Sequence, residues 1–274
     1  MREEMAEFLR ARRAALTPEQ SGVQVYGAMR RVPGLRRDEV AQLASISVNY
    51  YTRLEQGEIH QLSDAVLDSL SSALQLTPAE RIHLLRLSRP RPAHAVPLAH
   101  GPERLRPSVL ALVESTVGQA AVVIGRYFDL LGANRLGYAL YGLDRDKRVN
   151  LAKKMFLDSA MRELHPEWER EVSDLAARLR MATGDMPDDP TLSALIRELS
   201  INSPEFSRVW ARQRVAECKY DQRRFRHPVV GPLELRQESM RLPDDPGQRI
   251  VFLGAEAGTD SADRLGRLEA LSLS

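Results

Sequence analysis

Leu35-Arg36-Arg37-Asp38-Glu39-Val40-Ala41-Gln42-Leu43-Ala44-Ser45-Ile46-Ser47-Val48-Asn49-Tyr50-Tyr51-Thr52-Arg53-Leu54-Glu55-Gln56-Gly57 is the stretch on which the fold turns. Val40, Leu43 and Ala44 share one face of a helix, and Tyr51 and Leu54 share a face of the next. Between them Ser45-Ile46-Ser47 is too short for anything but a tight turn. Ile46 packs between the helices and Ser47 stands at the N-cap of the second. Ala41 is small enough to let the helices approach, and Gly57 suits the left-handed residue that ends the second helix. The pattern predicts two short helices joined by a turn.

Outward from this pair, Thr17-Pro18-Glu19-Gln20 and Thr77-Pro78-Ala79-Glu80 each place Thr at an N-cap, Pro at the first helical position and Gln or Glu three residues after the cap. Residues 1–90 therefore read as an all-α domain. Residues 89–107 hold five prolines and a glycine, which no continuous helix tolerates, so 91–107 reads as a linker.

Residues 108–270 read as a second, mixed domain. A helix is predicted from Ser108 to Val117, then a buried strand in Ala120-Ala121-Val122-Val123-Ile124-Gly125. Helical spacing returns at 134–140, 149–164, 166–182, 190–199 and 204–216, with Ser203 a good N-cap for the last. Leu233 to Leu242 and Arg249 to Leu253, separated by Asp244-Asp245-Pro246-Gly247, read as two strands with a polar turn. Leu233 and Leu235 have one parity and Met240 and Leu242 the other, so either the strand bulges between Gln237 and Ser239 or both faces are covered. A helix-covered α+β sheet is the expected architecture.

Composition sets the outer bounds. The 274 residues carry 39 basic and 37 acidic side chains, so any basic surface must be local. One is visible: residues 21–37 contain Arg30, Arg31, Arg36 and Arg37 and no acid. The single cysteine, Cys218, excludes an internal disulfide and a four-thiolate zinc site; its basic neighbourhood leaves open a redox-sensing thiol or an inert one. No secretion signal and no apolar run of about 18 residues is present, so a cytoplasmic protein without a membrane span is expected. Phosphate-binding glycine motifs, His-Glu-x-x-His and Gly-x-Ser-x-Gly are absent, and the six histidines lack metal-ligand pairing. The chain reads as neither an enzyme nor a metalloprotein.

The 35–57 segment resembles the XRE family of helix-turn-helix regulators, with a small residue in the first helix, a turn of the Gly-hydrophobic-Ser type and a second helix ending in Glu-x-Gly. Ser45 departs from the usual glycine and is strained if its backbone is left-handed. The resemblance implies binding to a double-stranded DNA operator in the major groove. Carried over by position, Val48, Asn49, Thr52 and Arg53 would face base edges, and Ser47 just before them joins the DNA-binding set. Arg53 suits guanine, Asn49 adenine and Val48 a thymine methyl. Arg37, Gln56 and Tyr50 would reach phosphates, with Arg30 and Arg31 as further backbone contacts. Asn49 and Arg53 also fit a merely solvated face, as in a module that binds another protein.

Gly125-Arg126-Tyr127-Phe128-Asp129-Leu130-Leu131-Gly132-Ala133-Asn134-Arg135-Leu136 and Phe225-Arg226-His227-Pro228-Val229-Val230-Gly231 resemble signature segments of the MmyB-like regulators, found mostly in actinobacteria. With both resemblances the expected fold is an α-helical N-terminal helix-turn-helix domain followed by an α+β PAS-like ligand-binding domain. The two resemblances together imply a homodimeric repressor whose second domain holds a small apolar ligand such as a fatty acid, with no other cofactor. Ile124, Phe128, Leu130, Met155, Phe156, Met161, Trp210 and Phe252 are the candidate lining residues, and Arg226 the candidate partner of a ligand carboxylate. A plain hydrophobic core accounts for the apolar set equally well.

Overall fold

The computed structural model describes residues 2–23, 34–59, 61–89, 103–186, 189–213, 215, 221–245 and 247–272. Arg30, Arg31, Cys218 and most of the expected linker lie outside them. The chain forms two compact units. The first gathers residues 1–95 with 176–190 and 208–217, and the second gathers 96–175, 191–207 and 218–274.

The first unit begins with α1 (Arg2–Ala15), α2 (Pro18–Ser21), α3 (Arg37–Leu43), α4 (Val48–Glu55), α5 (Asp64–Ala73) and α6 (Pro78–Ser88). Both Thr-Pro signals are capping boxes in the structure, at Thr17 with Gln20 and at Thr77 with Glu80. Met5, Phe8 and Leu9 of α1 meet Val40, Ala41, Tyr51, Leu54, Leu70 and Leu84 in one core. Gly34 is required on the way into α3, because a Cβ there would stand 2.5 Å from the Ala14 carbonyl oxygen. The close passage lets the Leu35 amide donate to the carbonyls of Arg13 and Leu16, which closes the end of α1.

The second unit is built from α7 (Pro107–Glu114), β1 (Gln119–Ile124), β2 (Leu130–Ala133), α8 (Arg135–Leu140), α9 (Leu151–Leu157), α10 (Ser159–Leu164), α11 (Trp168–Asp185), α12 (Pro190–Asn202), α13 (Pro204–Trp210), β3 (Asp221–His227), β4 (Gly231–Arg241), β5 (Arg249–Gly254) and α14 (Asp260–Leu271). By residue, α11 passes from the second unit into the first at Ala176 and α13 does so at Arg208, and Met181 and Val215 complete the first unit's core. The strands form an antiparallel sheet in the order β2-β1-β5-β4-β3. This is the expected α+β arrangement, with more strands than the three predicted.

Two local expectations need correction. The helical spacing at 149–164 is broken at Asp158, which ends α9 and caps α10 by accepting from the Ala160 amide at 2.9 Å. Strand β4 neither bulges nor is covered on both faces. Its register with β5 runs unbroken from Arg236↔Gly254 to Arg241↔Arg249, Leu233, Leu235 and Gln237 are buried, and Met240 is exposed. Leu242 lies beyond the end of the strand, where its amide bonds the Gln248 carbonyl.

Asn134 ties the sheet to the helix that follows it. Its Oδ1 accepts from the amides of Ala121 and Gly137, and its Nδ2 donates to the carbonyls of Thr116 and Gln119. One buried side chain thus caps α8 and closes the backbone at the start of β1. Gly137 allows the contact, since a Cβ would lie 2.7 Å from the Ala121 oxygen.

Candidate nucleic-acid interface and sensory domain

Local chemistry sets the geometry of the α3–α4 pair. Helix α3 ends on Ser45, whose φ of 54° is left-handed, with the Ile46 amide reaching back to the Ala41 carbonyl and the Ser45 amide to that of Gln42. This is the Schellman closure that glycine usually serves; the serine that stands in place of the usual glycine does adopt the strained backbone. Ser47 then caps α4, its hydroxyl accepting from the Tyr50 amide at 3.1 Å. Helix α4 closes in the same way on Gly57, at φ 74°, with the Glu58 amide bonded to the Arg53 carbonyl.

Within α4, Tyr51, Leu54 and Glu55 are buried, while Val48, Asn49, Arg53 and Gln56 are exposed and Tyr50 and Thr52 half-exposed. Positions 48, 49, 52, 53 and 56 follow the period of a helix and form one outward stripe. The Thr52 hydroxyl is engaged with the Val48 carbonyl at 2.8 Å. Arg53 Nε contacts Glu58 Oε2 at 2.9 Å.

The buried side of α4 holds a charge cluster that sequence reasoning did not assign. Arg13 of α1 donates Nε and Nη2 to the two oxygens of Glu55, at 2.6 and 3.2 Å, and Nη1 to the Leu35 carbonyl. Arg37 adds its Nε to Glu55 at 2.7 Å, and Arg10 donates to the Glu55 backbone carbonyl. Burial alone would raise the carboxyl's pKa, but the bonds from Arg13 and Arg37 outweigh it and hold it below its ordinary value. Burial, reinforced by Glu55, holds the neighbouring Tyr51 phenol well above its usual range. Arg37 is thus both half-exposed, as a phosphate contact requires, and part of the clamp that fixes α4. The Glu-x-Gly ending was visible in sequence, but its partner lies 42 residues earlier.

In the second unit the candidate ligand residues do not all share one face of the sheet. Ile124 and Leu130 pair across β1 and β2, with Phe128 close by under the guanidinium of Arg249. Phe156 meets Phe206 edge to face at 5.0 Å; Met161 is buried on α10 and Met155 half-buried on α9. Phe252 lies on the opposite sheet face, with Val109 and Val113 of α7. Trp210 belongs to the first unit, stacked on Arg180 at 3.7 Å. Arg226 is exposed, and the inward row of β3 is Arg223, Phe225 and His227 instead. Arg223, bonded to Glu171 at 2.7 Å and in contact with Asp174, is the buried cation of this face. Arginines stand on both the buried and the exposed rows of this basic segment, so the sequence carries no signal that singles Arg223 out. A surface groove of about 700 Å³ between α7, α8 and α14 touches none of the candidates.

Among the described residues no group of His, Cys, Asp and Glu is placed to hold a metal, and no helix is long and apolar enough to cross a membrane. A family model for the MmyB-like transcription regulator ligand binding domain matches residues 105–268, and one for a helix-turn-helix domain matches residues 4–84. Comparison with curated proteins finds no match.

Proposed function

As this chain belongs to the MmyB-like transcription regulators, we propose that it is a sequence-specific repressor that reads DNA with α4 and whose second domain answers to a small apolar ligand such as a fatty acid. The observation behind the DNA half is the outward stripe Val48, Asn49, Thr52, Arg53 and Gln56, mounted on a helix that is capped at both ends and clamped from beneath by Arg13 and Glu55. A rigid element presenting Asn and Arg is what bidentate reading of adenine and guanine in the major groove requires. Such modules bind two half-sites as two-fold dimers, so a homodimer in the cytoplasm on a near-palindromic operator completes the reading.

Selection from a random duplex library with the full-length chain tests the DNA half. A recovered motif with two related half-sites supports it, and recovery of random sequence rejects it. For the sensory half, native mass spectrometry before and after organic extraction tests whether a lipid-range mass travels with the chain. A reporter driven by the selected operator distinguishes repression from activation.

A further inference from the structure

We propose that Glu58 is a positioning residue for base readout, its carboxylate holding the guanidinium of Arg53 so that the terminal Nη1/Nη2 edge faces a guanine. The inference rests on reading α4 as the DNA-recognition helix and goes beyond it, since it gives a residue outside the helix control over specificity.

Two independent connections join these residues. The Glu58 amide donates to the Arg53 carbonyl at 3.0 Å, as part of the turn that ends α4 on Gly57. The side chain then returns to the same residue, with Oε2 at 2.9 Å from Arg53 Nε. No other side-chain partner of Arg53 occurs among the described residues, so both terminal nitrogens remain available. The acid nearest in sequence, Glu55, is fully buried and engaged by Arg13 and Arg37, so it cannot take this role.

The chemistry of guanine gives the arrangement its meaning. Guanine presents O6 and N7 side by side, and an arginine meets them with two parallel N–H donors. A guanidinium has two such edges, Nε/Nη2 and Nη1/Nη2. An acceptor on Nε removes the first and leaves the second. The tether also restricts a long side chain before DNA arrives, so less rotamer freedom is lost on binding. A carboxylate beside the DNA-facing stripe further disfavours approach to phosphates where no base contact compensates. Both effects widen the gap between specific and non-specific binding. Arg53 and Glu58 are each about half exposed, at 49% and 52%, so neutralising Glu58 leaves the core of the unit untouched.

The test selects sites from one random duplex library with three full-length proteins in parallel: the native chain, Glu58→Gln and Arg53→Ala. Each is also titrated against a non-specific duplex. The expected result is a motif with one G·C pair per half-site whose preference Arg53→Ala abolishes. At that pair alone Glu58→Gln weakens the preference about fivefold, the upper range for an exposed ion pair, with non-specific affinity equal or higher. An unchanged preference at that pair overturns the proposal. So does tighter binding of Glu58→Gln to the motif, which would make Glu58 a competitor of the DNA. If the native chain selects no motif, the DNA-reading function itself fails; an Arg53-dependent motif indifferent to Glu58 removes this inference alone.

Discussion

Arg13 and Glu55, on α1 and at the end of α4, form a bidentate ion pair with Nε–Oε1 at 2.6 Å and the Glu55 side chain fully buried. Helix α4 is therefore fixed by its own carboxylate as well as by the packing of Tyr51 and Leu54. Breaking a buried pair leaves an uncompensated charge, so Glu55→Ala is expected to cost about 3 to 5 kcal/mol of stability. Arg13→Lys, which keeps the charge but loses the fork, should also destabilise, by less. Urea unfolding of the full-length variants measures both, and a midpoint unchanged in Glu55→Ala would show that the clamp is not structural.

Arg37 differs from Arg53 in what its loss should do. Since Arg37 both holds Glu55 and stands half-exposed at the start of α3, Arg37→Ala should lower stability and weaken DNA binding on every sequence, reducing the salt slope by about 1. Titrations at several salt concentrations on specific and non-specific duplexes check this. A loss confined to one base pair would instead make Arg37 a base reader.

Ser45 has a positive φ of 54° and an exposed side chain. Glycine there should relieve the strain, and Ser45→Gly is expected to raise stability by about 0.5 to 1 kcal/mol with the turn unchanged. Thermal unfolding reads the effect. Destabilisation would mean that the Ser45 side chain contributes more than its backbone costs.

His83 is buried against the edge of Phe8, with a ring-centroid distance of 5.2 Å. Burial, together with Arg180 and Arg86, pushes its pKa down to about 3. The unfolded chain then binds a proton that the folded chain refuses. The stability associated with neutral His83 is complete above its ordinary value of 6.5 and is lost as pH falls toward 3, by up to about 1.4 kcal/mol per pH unit. Glu55, held below its ordinary 4.5, adds a loss in the same direction at lower pH. His83→Phe should flatten the stability profile between pH 6 and 5 relative to the native chain, measured by urea unfolding at each pH; parallel profiles would exclude His83 as the cause.

The helix-turn-helix was legible because its signals are local. Caps at Thr17, Ser47 and Thr77, the closing Gly57 and the spacing of Val40, Ala44, Tyr51 and Leu54 each act within a turn or two of chain. The Arg13–Glu55 clamp was not, since pairing across 42 residues leaves no periodicity behind. Strand β3 was hidden for a different reason: its inward row is Arg223, Phe225 and His227, so burial there does not look hydrophobic. Strand β2 is four residues long and half-buried at its start, too short for alternation to show. Trp210 falls in the first unit, with residues 208–217, a long-range outcome that composition does not encode.

Sequence reading by α4 is tested most directly by one titration: fluorescence anisotropy of a labelled duplex carrying the selected site, and of a scrambled duplex, with the native chain and Arg53→Ala at one fixed salt concentration. Arg53→Ala is predicted to lose about 1 to 3 kcal/mol on the selected site and far less on the scrambled one. Equal losses on both duplexes, or none on either, would contradict sequence reading by α4.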